Sequence, residues 1–533
     1  SKTWNGQTSS DWYTASNWTP AGVPMDTDCV LIPEITNGAD DDPIMVGGPP
    51  VPPPPAQALN LTILDNGYLE LNPQANLRVV DGITVEPLGI FNIRNGANLV
   101  QEGTVNNNTG NVHVQRSPNF TQTPVGNQEY VYWSTPVGVK DVLQISPTGN
   151  PNLVWEWDPT VPGNGVGDHG DWYNATGNMR LGQGYIVRGL TGTPTSLPGF
   201  PTVTVDPNTA LFSGVPNSGD ISIPIYHGGY NGGPYAGNSG QNAFANDDNW
   251  NLLGNPYPSS ISADAFIATN SGAIADDATP AIIGTIWLWP HVSTNDNLTV
   301  DPFYQDFVYN YNTNDYAEYN YMGANPPGFG GYIASGQGFF VLMDHFTGSG
   351  ANVLFDNTMR DASASNTDFF GIENPNALSY SADLEKHRIW LDLITSDNVA
   401  NTILVGYAEG ATDDIDRLFD GSEFAVSGIS FYSLIETERF SIQGKALPFD
   451  DTDVIPLGAK FVQSDSYSIG INSLDGVFID PDLNILLEDK YYGIIHDLRT
   501  IPYSFTTDEG VFDDRFVLRY TYDTLGLDDI LDN

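Results

Sequence analysis

Cysteine is almost absent from this chain of 533 residues; Cys29 is the only one. A single thiol excludes an intramolecular disulfide framework and a cysteine-based zinc site. Basic residues are scarce too: 18 Lys and Arg stand against 65 Asp and Glu, a formal net charge of −47. Proteins that grip phosphate backbones neutralise them with Lys and Arg, so this balance excludes nucleic-acid binding. It also disfavours docking on anionic lipid. No apolar run reaches the ~18–20 residues of a membrane span, and no signal-peptide pattern opens the chain. Lys, Glu and Met are all in short supply, and with them the usual material of helices.

What is there points to a β protein. Hydrophobic residues make up 40% and aromatics 12%, enough to bury cores and to exclude disorder despite the charge. Gly numbers 55 and Pro 38, the punctuation of a turn-rich chain. Asp dominates the acids and favours turns and caps over helix interiors. At ~150 residues per domain the length suggests three or four domains. The first residue is Ser1 rather than Met, as expected of a processed, exported product.

Three stretches differ in pattern. From Leu61, apolar–polar–apolar triplets begin at Leu61, Leu69, Leu77, Ile83 and Phe91, spaced 8, 8, 6 and 8 residues apart and separated by turns such as Asp65-Asn66-Gly67. Short strands at that spacing predict a β-solenoid-like stack, with an ordinary meander as the alternative. Between about 116 and 362 the chain is duplicated. Tyr132-Trp133-Ser134, Trp155-Glu156-Trp157 and Gly182-Gln183-Gly184 recur in order as Leu252-Leu253-Gly254, Trp287-Leu288-Trp289 and Gly336-Gln337-Gly338, at offsets of 120 to 154. The last part, with runs such as Ile389-Trp390-Leu391, reads as a further β-unit. The expected fold is therefore all-β: an N-terminal β-solenoid-like segment, duplicated β-sandwich modules and a C-terminal β-domain. The corresponding domains are 1–115, 116–362 (copies about 116–220 and 221–362) and 363–533. The run from Pro52 to Pro55 reads as a stiff exposed loop.

Several blocks together resemble a family. The opening Trp4-Asn5-Gly6 … Asn17-Trp18 … Gly22-Val23-Pro24 resembles that of large exported surface proteins of the Bacteroidetes. So do residues 251–266, 336–341 and 385–391, Gln443-Gly444-Lys445-Ala446-Leu447-Pro448-Phe449, and the strand Phe516-Val517-Leu518-Arg519-Tyr520. The resemblance implies export by the type nine secretion system and a place at the cell surface or outside the cell. It also implies a sorting domain after the Phe516–Tyr520 strand, absent from this chain as expected if export removes it. It carries no chemistry to particular residues.

The residues themselves offer few sites. The seven histidines include no HxxxH or HExxH pair, and neither a GxSxG elbow nor a P-loop is present. Asp413, Asp414, Asp416 and Asp420 fall within eight positions and predict either a solvated acidic turn or a calcium site, since clustered carboxylates invite a counter-ion. Asp450-Asp451-Thr452-Asp453 and Asp40-Asp41-Asp42 are weaker clusters. Trp155/Trp157 and Trp287/Trp289 each put two indoles on one strand face, read as core. Trp4, Trp12 and Trp18, with Tyr309, Tyr311, Tyr316, Tyr319 and Tyr321, are the expected surfaces for partner or glycan contact. Asp523-Thr524-Leu525 resembles a Bacteroidetes O-glycosylation acceptor, which makes Thr524 a candidate for modification. The expectation is a non-enzymatic, extracellular adhesion or structural protein, such as a subunit of a filament or surface layer. Its expected partners are further copies, surface glycans or other surface proteins, and the secretion machinery during export. The alternative is a secreted carbohydrate-binding or glycan-degrading protein.

Overall fold

A computed structural model describes residues 1–36, 41–46, 54–118, 130–160, 171–190, 196–197, 200–204, 209–228, 249–272, 280–289, 316–344, 347–348, 350–361, 366, 384–396, 400–423 and 429–522. The fold is all-β. Among the described residues, the strands are joined by one α-helix, Ala263–Asn270, and short 3-10 turns. The chain forms two compact units, residues 1–310 with 331–373, and residues 311–330 with 374–533.

The first unit begins with strands paired in parallel. Leu61 pairs with Ile83, Leu69 with Phe91 and Leu77 with Leu99, each 22 positions on, in three separate sheets. Successive triplets therefore lie in different sheets, and every third one returns to the same sheet. The outer residues of each triplet turn inward, so Leu61, Ile63, Leu77 and Val79 are buried while Thr62 and Arg78 are less so. The corners stack backbone on backbone. A Cβ on Gly67 would lie 2.4 Å from the Ile32 carbonyl oxygen, and one on Gly89 2.9 Å from that of Leu64, so only glycine allows the approach. A side-chain amide bond follows the same 22-residue step, with Asn98 Nδ2 donating to Asn76 Oδ1 at 2.9 Å.

The duplication appears as repeated strand order. Tyr130–Trp133, Tyr185–Arg188 and Val154–Asp158 are neighbours in one sheet, and Trp250–Gly254, Gly338–Met343 and Ile282–Leu288 are neighbours in another. The registers correspond: Ile186 pairs with both Tyr132 and Trp155, and Phe340 with both Leu252 and Trp287. The copies also exchange reciprocal backbone bonds. Ser134 N–H donates to Gly336 O at 2.7 Å, and Gly254 N–H donates to Gly182 O at 3.0 Å. Equivalent residues of each copy thus hold the other. Trp157, Trp287 and Trp289 are buried. Phe340 meets the edges of Tyr132, Trp157 and Trp250 at centroid distances near 6 Å, geometry that aromatic quadrupoles favour.

The second unit is built on one eleven-stranded sheet. Its path runs Ile494–Asp497, Leu486–Asp489, Gly510–Arg519, Val454–Phe461, Ser430–Ile435, Glu438–Ala446, Ala400–Ala408, Lys386–Ile394, Asp465–Leu474 and Tyr503–Thr507, and Gly421–Ser422 pairs with Glu438–Ala446. The pairing is antiparallel except between Ala400–Ala408 and Glu438–Ala446. The sheet folds over on itself, nearly as a barrel. Phe505, on the last strand of the path, packs 5.1 Å from Phe516, on the third. Ile389, Leu391 and Leu393 point into that core. The intervening Arg388 and Trp390 point to the other face, where Arg388 Nη1 donates to Met322 O and Trp390 Nε1 to Ala324 O.

Candidate functional site

The residues expected to make contacts are mostly interior. Trp4, Trp12 and Trp18 are buried, and their rings meet edge to face at 4.9 and 4.6 Å. Trp4 Nε1 donates to Asp41 O and Trp18 Nε1 to Trp12 O. With ring faces packed and two of the three N–H groups bonded inside, the trio stabilises the N-terminal turn and offers no surface to a partner. Tyr319 is likewise buried against Phe329. Tyr321 is half-buried on Phe419, and Tyr316 is half-buried. Tyr309, Tyr311 and Thr524 lie outside the described residues.

The acidic turn does not draw its carboxylates together. Asp413 is ion-paired with Lys445 Nζ at 2.8 Å, and the same lysine lies 3.6 Å from Asp453. The Asp416 carboxylate accepts the Thr412 N–H. That of Asp420 accepts the N–H groups of Asp416 at 2.6 Å and Gly444 at 2.8 Å, while Asp414 is exposed. A lysine and backbone amides thus take up much of the turn's charge, which the sequence left to either solvent or calcium. Among the described residues no three His, Cys, Asp or Glu side chains converge as metal ligands would.

A different feature stands out at the edge of the second unit's sheet. Leu486–Asp489 and Ile494–Asp497 form a hairpin whose turn is Lys490-Tyr491-Tyr492-Gly493. Gly493 has φ +64°, the left-handed region that returns the chain. Asp489 Oδ1 accepts the N–H groups of Tyr491 at 3.0 Å and Tyr492 at 3.4 Å. Buried Asp489 also receives two donors of Arg515, Nε at 3.2 Å and Nη2 at 2.8 Å, and the Tyr503 hydroxyl at 3.1 Å. Burial, and next the Asp489 charge, push the Tyr503 phenol up to about 12, so it remains a donor. The Arg515 guanidinium carbon lies 5.4 Å from the Tyr491 ring centre, 5.3 Å from Tyr492, and 4.7 Å from both Phe505 and Phe516.

The turn is therefore tied at its backbone by a carboxylate and under its rings by a cation. On that base two rings face water: Tyr491 is 72% exposed and Tyr492 49%. Their centroids are 5.1 Å apart at 84°. Ile494 and Ile501 are exposed close by in sequence. Large rings held in one geometry make contacts at low entropic cost. The sequence reading missed this tip. Its available signal was two adjacent tyrosines followed by glycine between apolar runs, but the residues that tie it to the sheet are Asp489 and the distant Arg515.

Two other places hold chemistry-bearing groups. An open pocket of about 420 Å³ is lined by Glu385, His387, Leu447, Pro448, Phe449 and Val477. His387 Nδ1 accepts the Val477 N–H at 3.3 Å and its Nε2 faces Glu385 at 3.3 Å, so both ring nitrogens are engaged. Elsewhere in the second unit Glu423 accepts from Ser430 Oγ, and Glu318 from Ser441 Oγ. Burial pushes the Glu423 carboxyl up to about 8 against the opposing charges of Arg439 and Lys460, with Glu318 adding to the rise. That group stores a proton near neutrality inside the fold, whereas the tip meets solvent.

A family model described as "Domain of unknown function (DUF8693)" matches residues 3–520. The chain belongs to that family. No curated protein and no solved structure matches it. The family match spans the parallel stack, the duplicated strands and the tip alike, so all three fall within the extent of one family domain.

Proposed function

We propose that this chain is an exported, non-enzymatic surface protein of the type nine secretion route that works by contact, as an adhesin or as the subunit of an extracellular filament or surface layer. The observation that carries the reading is the tip: two solvent-facing tyrosines fixed by a buried ion pair at a sheet edge. The resemblance of the 4–24 and 516–520 blocks to Bacteroidetes surface proteins supports the location outside the cell. The strongly acidic composition makes uncontrolled association of copies unfavourable, so assembly would run through specific patches.

The test combines negative-stain microscopy and sedimentation of the native protein with a gene deletion. Filaments, lattices or loss of attachment in the deletion strain support the reading. A protein that stays monomeric at high concentration, from a strain whose surface and attachment are unchanged by deletion, overturns it. The tip also favours a second reading, carbohydrate binding, because a sugar ring stacks on an exposed tyrosine. A glycan array with a hydrolysis readout separates the two.

A further inference from the structure

We propose that Tyr491 and Tyr492 form a seat for a cationic side chain, so that the partner of the tip is a polypeptide segment bearing Lys or Arg. The proposal rests on the contact reading above and names the chemistry of its partner.

The rings meet nearly at right angles. They present a corner with one ring face as a wall and the edge of the other beside it. A ring face carries negative quadrupole density and attracts a guanidinium or ammonium group. Both rings already do so within the chain: the Arg515 guanidinium sits 5.4 and 5.3 Å from the two ring centres. Its charge is met by the bidentate carboxylate of Asp489, so it does not repel a second cation arriving from solvent.

The surrounding field has the right sign. Residues 480–520 carry nine Asp and Glu against four Lys and Arg. Three of those bases are already engaged. Arg515 pairs with Asp489, Arg519 with Glu488 at 2.9 Å, and Arg499 donates to the carbonyls of Leu483, Phe478 and Asp480. Lys490, exposed in the turn, is the local opposing charge. Asp508, Glu509 and Asp514 are exposed. Asp508 follows the strand to which Tyr492 is tied through Thr506 O at 3.4 Å, and Asp514 adjoins Arg515. A second copy would bring −47 against −47, and a neutral sugar gains nothing from the field. A basic segment gains from both the field and the rings.

The test uses the full chain and a short labelled Gly/Arg/Lys peptide at about 0.15 M salt, where long-range attraction between exposed charges is largely screened. The Tyr491→Ala/Tyr492→Ala variant keeps the net charge, so any loss isolates the rings. We expect binding about three- to tenfold weaker in that variant. The Tyr491→Phe/Tyr492→Phe variant should bind like the parent, and Tyr491→Leu/Tyr492→Leu should bind like the alanine variant. Unchanged affinity in the alanine variant overturns the proposal. So does full binding by the leucine variant, which would make the seat merely apolar. Preference for neutral oligosaccharides overturns it in favour of a glycan. Loss of self-association in the alanine variant with peptide binding intact overturns it in favour of a second copy. Ring-dependent peptide binding in a protein whose deletion changes neither surface nor attachment would leave the seat standing and remove the contact reading.

Discussion

Arg360 in the first unit and Arg515 in the second are both buried, yet their surroundings answer the charge in opposite ways. Arg360 donates to Ser259 Oγ at 2.9 Å, to Asn357 Oδ1 at 2.8 Å and to Leu99 O, and lies 4.6 Å from the Tyr257 ring centre. These acceptors are neutral, and burial pushes its pKa down to about 10. Arg515 meets a full carboxylate. Elsewhere the contrast is one of degree, since the first unit also holds an ion pair, Arg94 Nη2 with the buried Glu70 at 3.1 Å. In the first unit, amides do much of the polar work: Asn217 donates to Thr135 O and Pro256 O, and Asn255 to Ser259 O and Ile333 O. In the second, charge pairs are prominent, as in Arg388–Asp475 and Arg519–Glu488. Amides satisfy buried backbone without titrating. Charge pairs fix geometry more firmly but tie stability to protonation and are costly to break singly.

The sharpest way to break that contrast is Asp489→Ala. It strands Arg515 in the core and frees the turn amides of Tyr491 and Tyr492. We expect a loss of about 3–5 kcal/mol in urea unfolding of the second unit, the range for removing one partner of a buried pair. Arg360→Ala comes next. It leaves three neutral acceptors short of a donor but no charge behind, and should cost about 3 kcal/mol in the first unit. If Arg360→Ala proved the costlier of the two, the distinction between the neutral and the ionic arginine site would fail.

The pH response sharpens the comparison further. Burial raises Glu423 to about 8 and Asp420 to about 7. Both are carboxyls whose folded pKa lies above the unfolded value, so the folded second unit holds more protons than its unfolded chain between about pH 4 and 8. Stability must then fall as pH rises through that window. Around Glu423, Arg439 and Lys460 oppose the rise while Glu318 and Asp513 add to it. Asp413, held below its usual range by Lys445, acts with the opposite sign and only at lower pH. In calorimetry the transition of the second unit should move down between pH 5 and 8, and Glu423→Gln should flatten that slope. In the first unit, burial lowers Lys140 to about 8. A lysine with a lowered pKa adds stability only as pH rises above that value, but burial also lowers His113, which adds stability as pH rises toward neutrality, so these first-unit groups oppose the downward trend.

Much of the fold was legible because local pattern and long-range pairing coincide. The triplet spacings from Leu61 to Ile83 add up to the 22-residue register of the parallel strands, and the two Trp-x-Trp blocks lie opposite equivalent partners, Ile186 and Phe340. Candidate sites were harder to read because burial is not a local property. Trp4 and Trp18 sit among polar residues and look like surface, but each indole N–H reaches a backbone carbonyl inside the turn, 37 positions away for Trp4 and 6 for Trp18. The acids from Asp413 to Asp420 look like a cation loop because nothing in that stretch reveals Lys445, 32 positions away from Asp413. The tip shows the same limit. Tyr491 and Tyr492 alone are an ordinary turn, and what sets them apart is Arg515, within 5.4 Å of both ring centres.

The smallest expected effect on stability is the most informative about the tip. Tyr491→Ala/Tyr492→Ala removes two largely exposed rings and leaves the Asp489–Arg515 pair, the turn amides and Gly493 in place. The structural losses are the ring contacts with Arg515 and the long Tyr492 hydroxyl bond to Thr506. Together they should cost about 1 kcal/mol, a shift of about two to four degrees in the second unit's melting temperature. A loss comparable to that of Asp489→Ala would make the rings part of the fold rather than a surface displayed by it. A small loss, with weakened binding to the basic peptide, separates the two roles: the ion pair builds the platform, and the rings are what it presents.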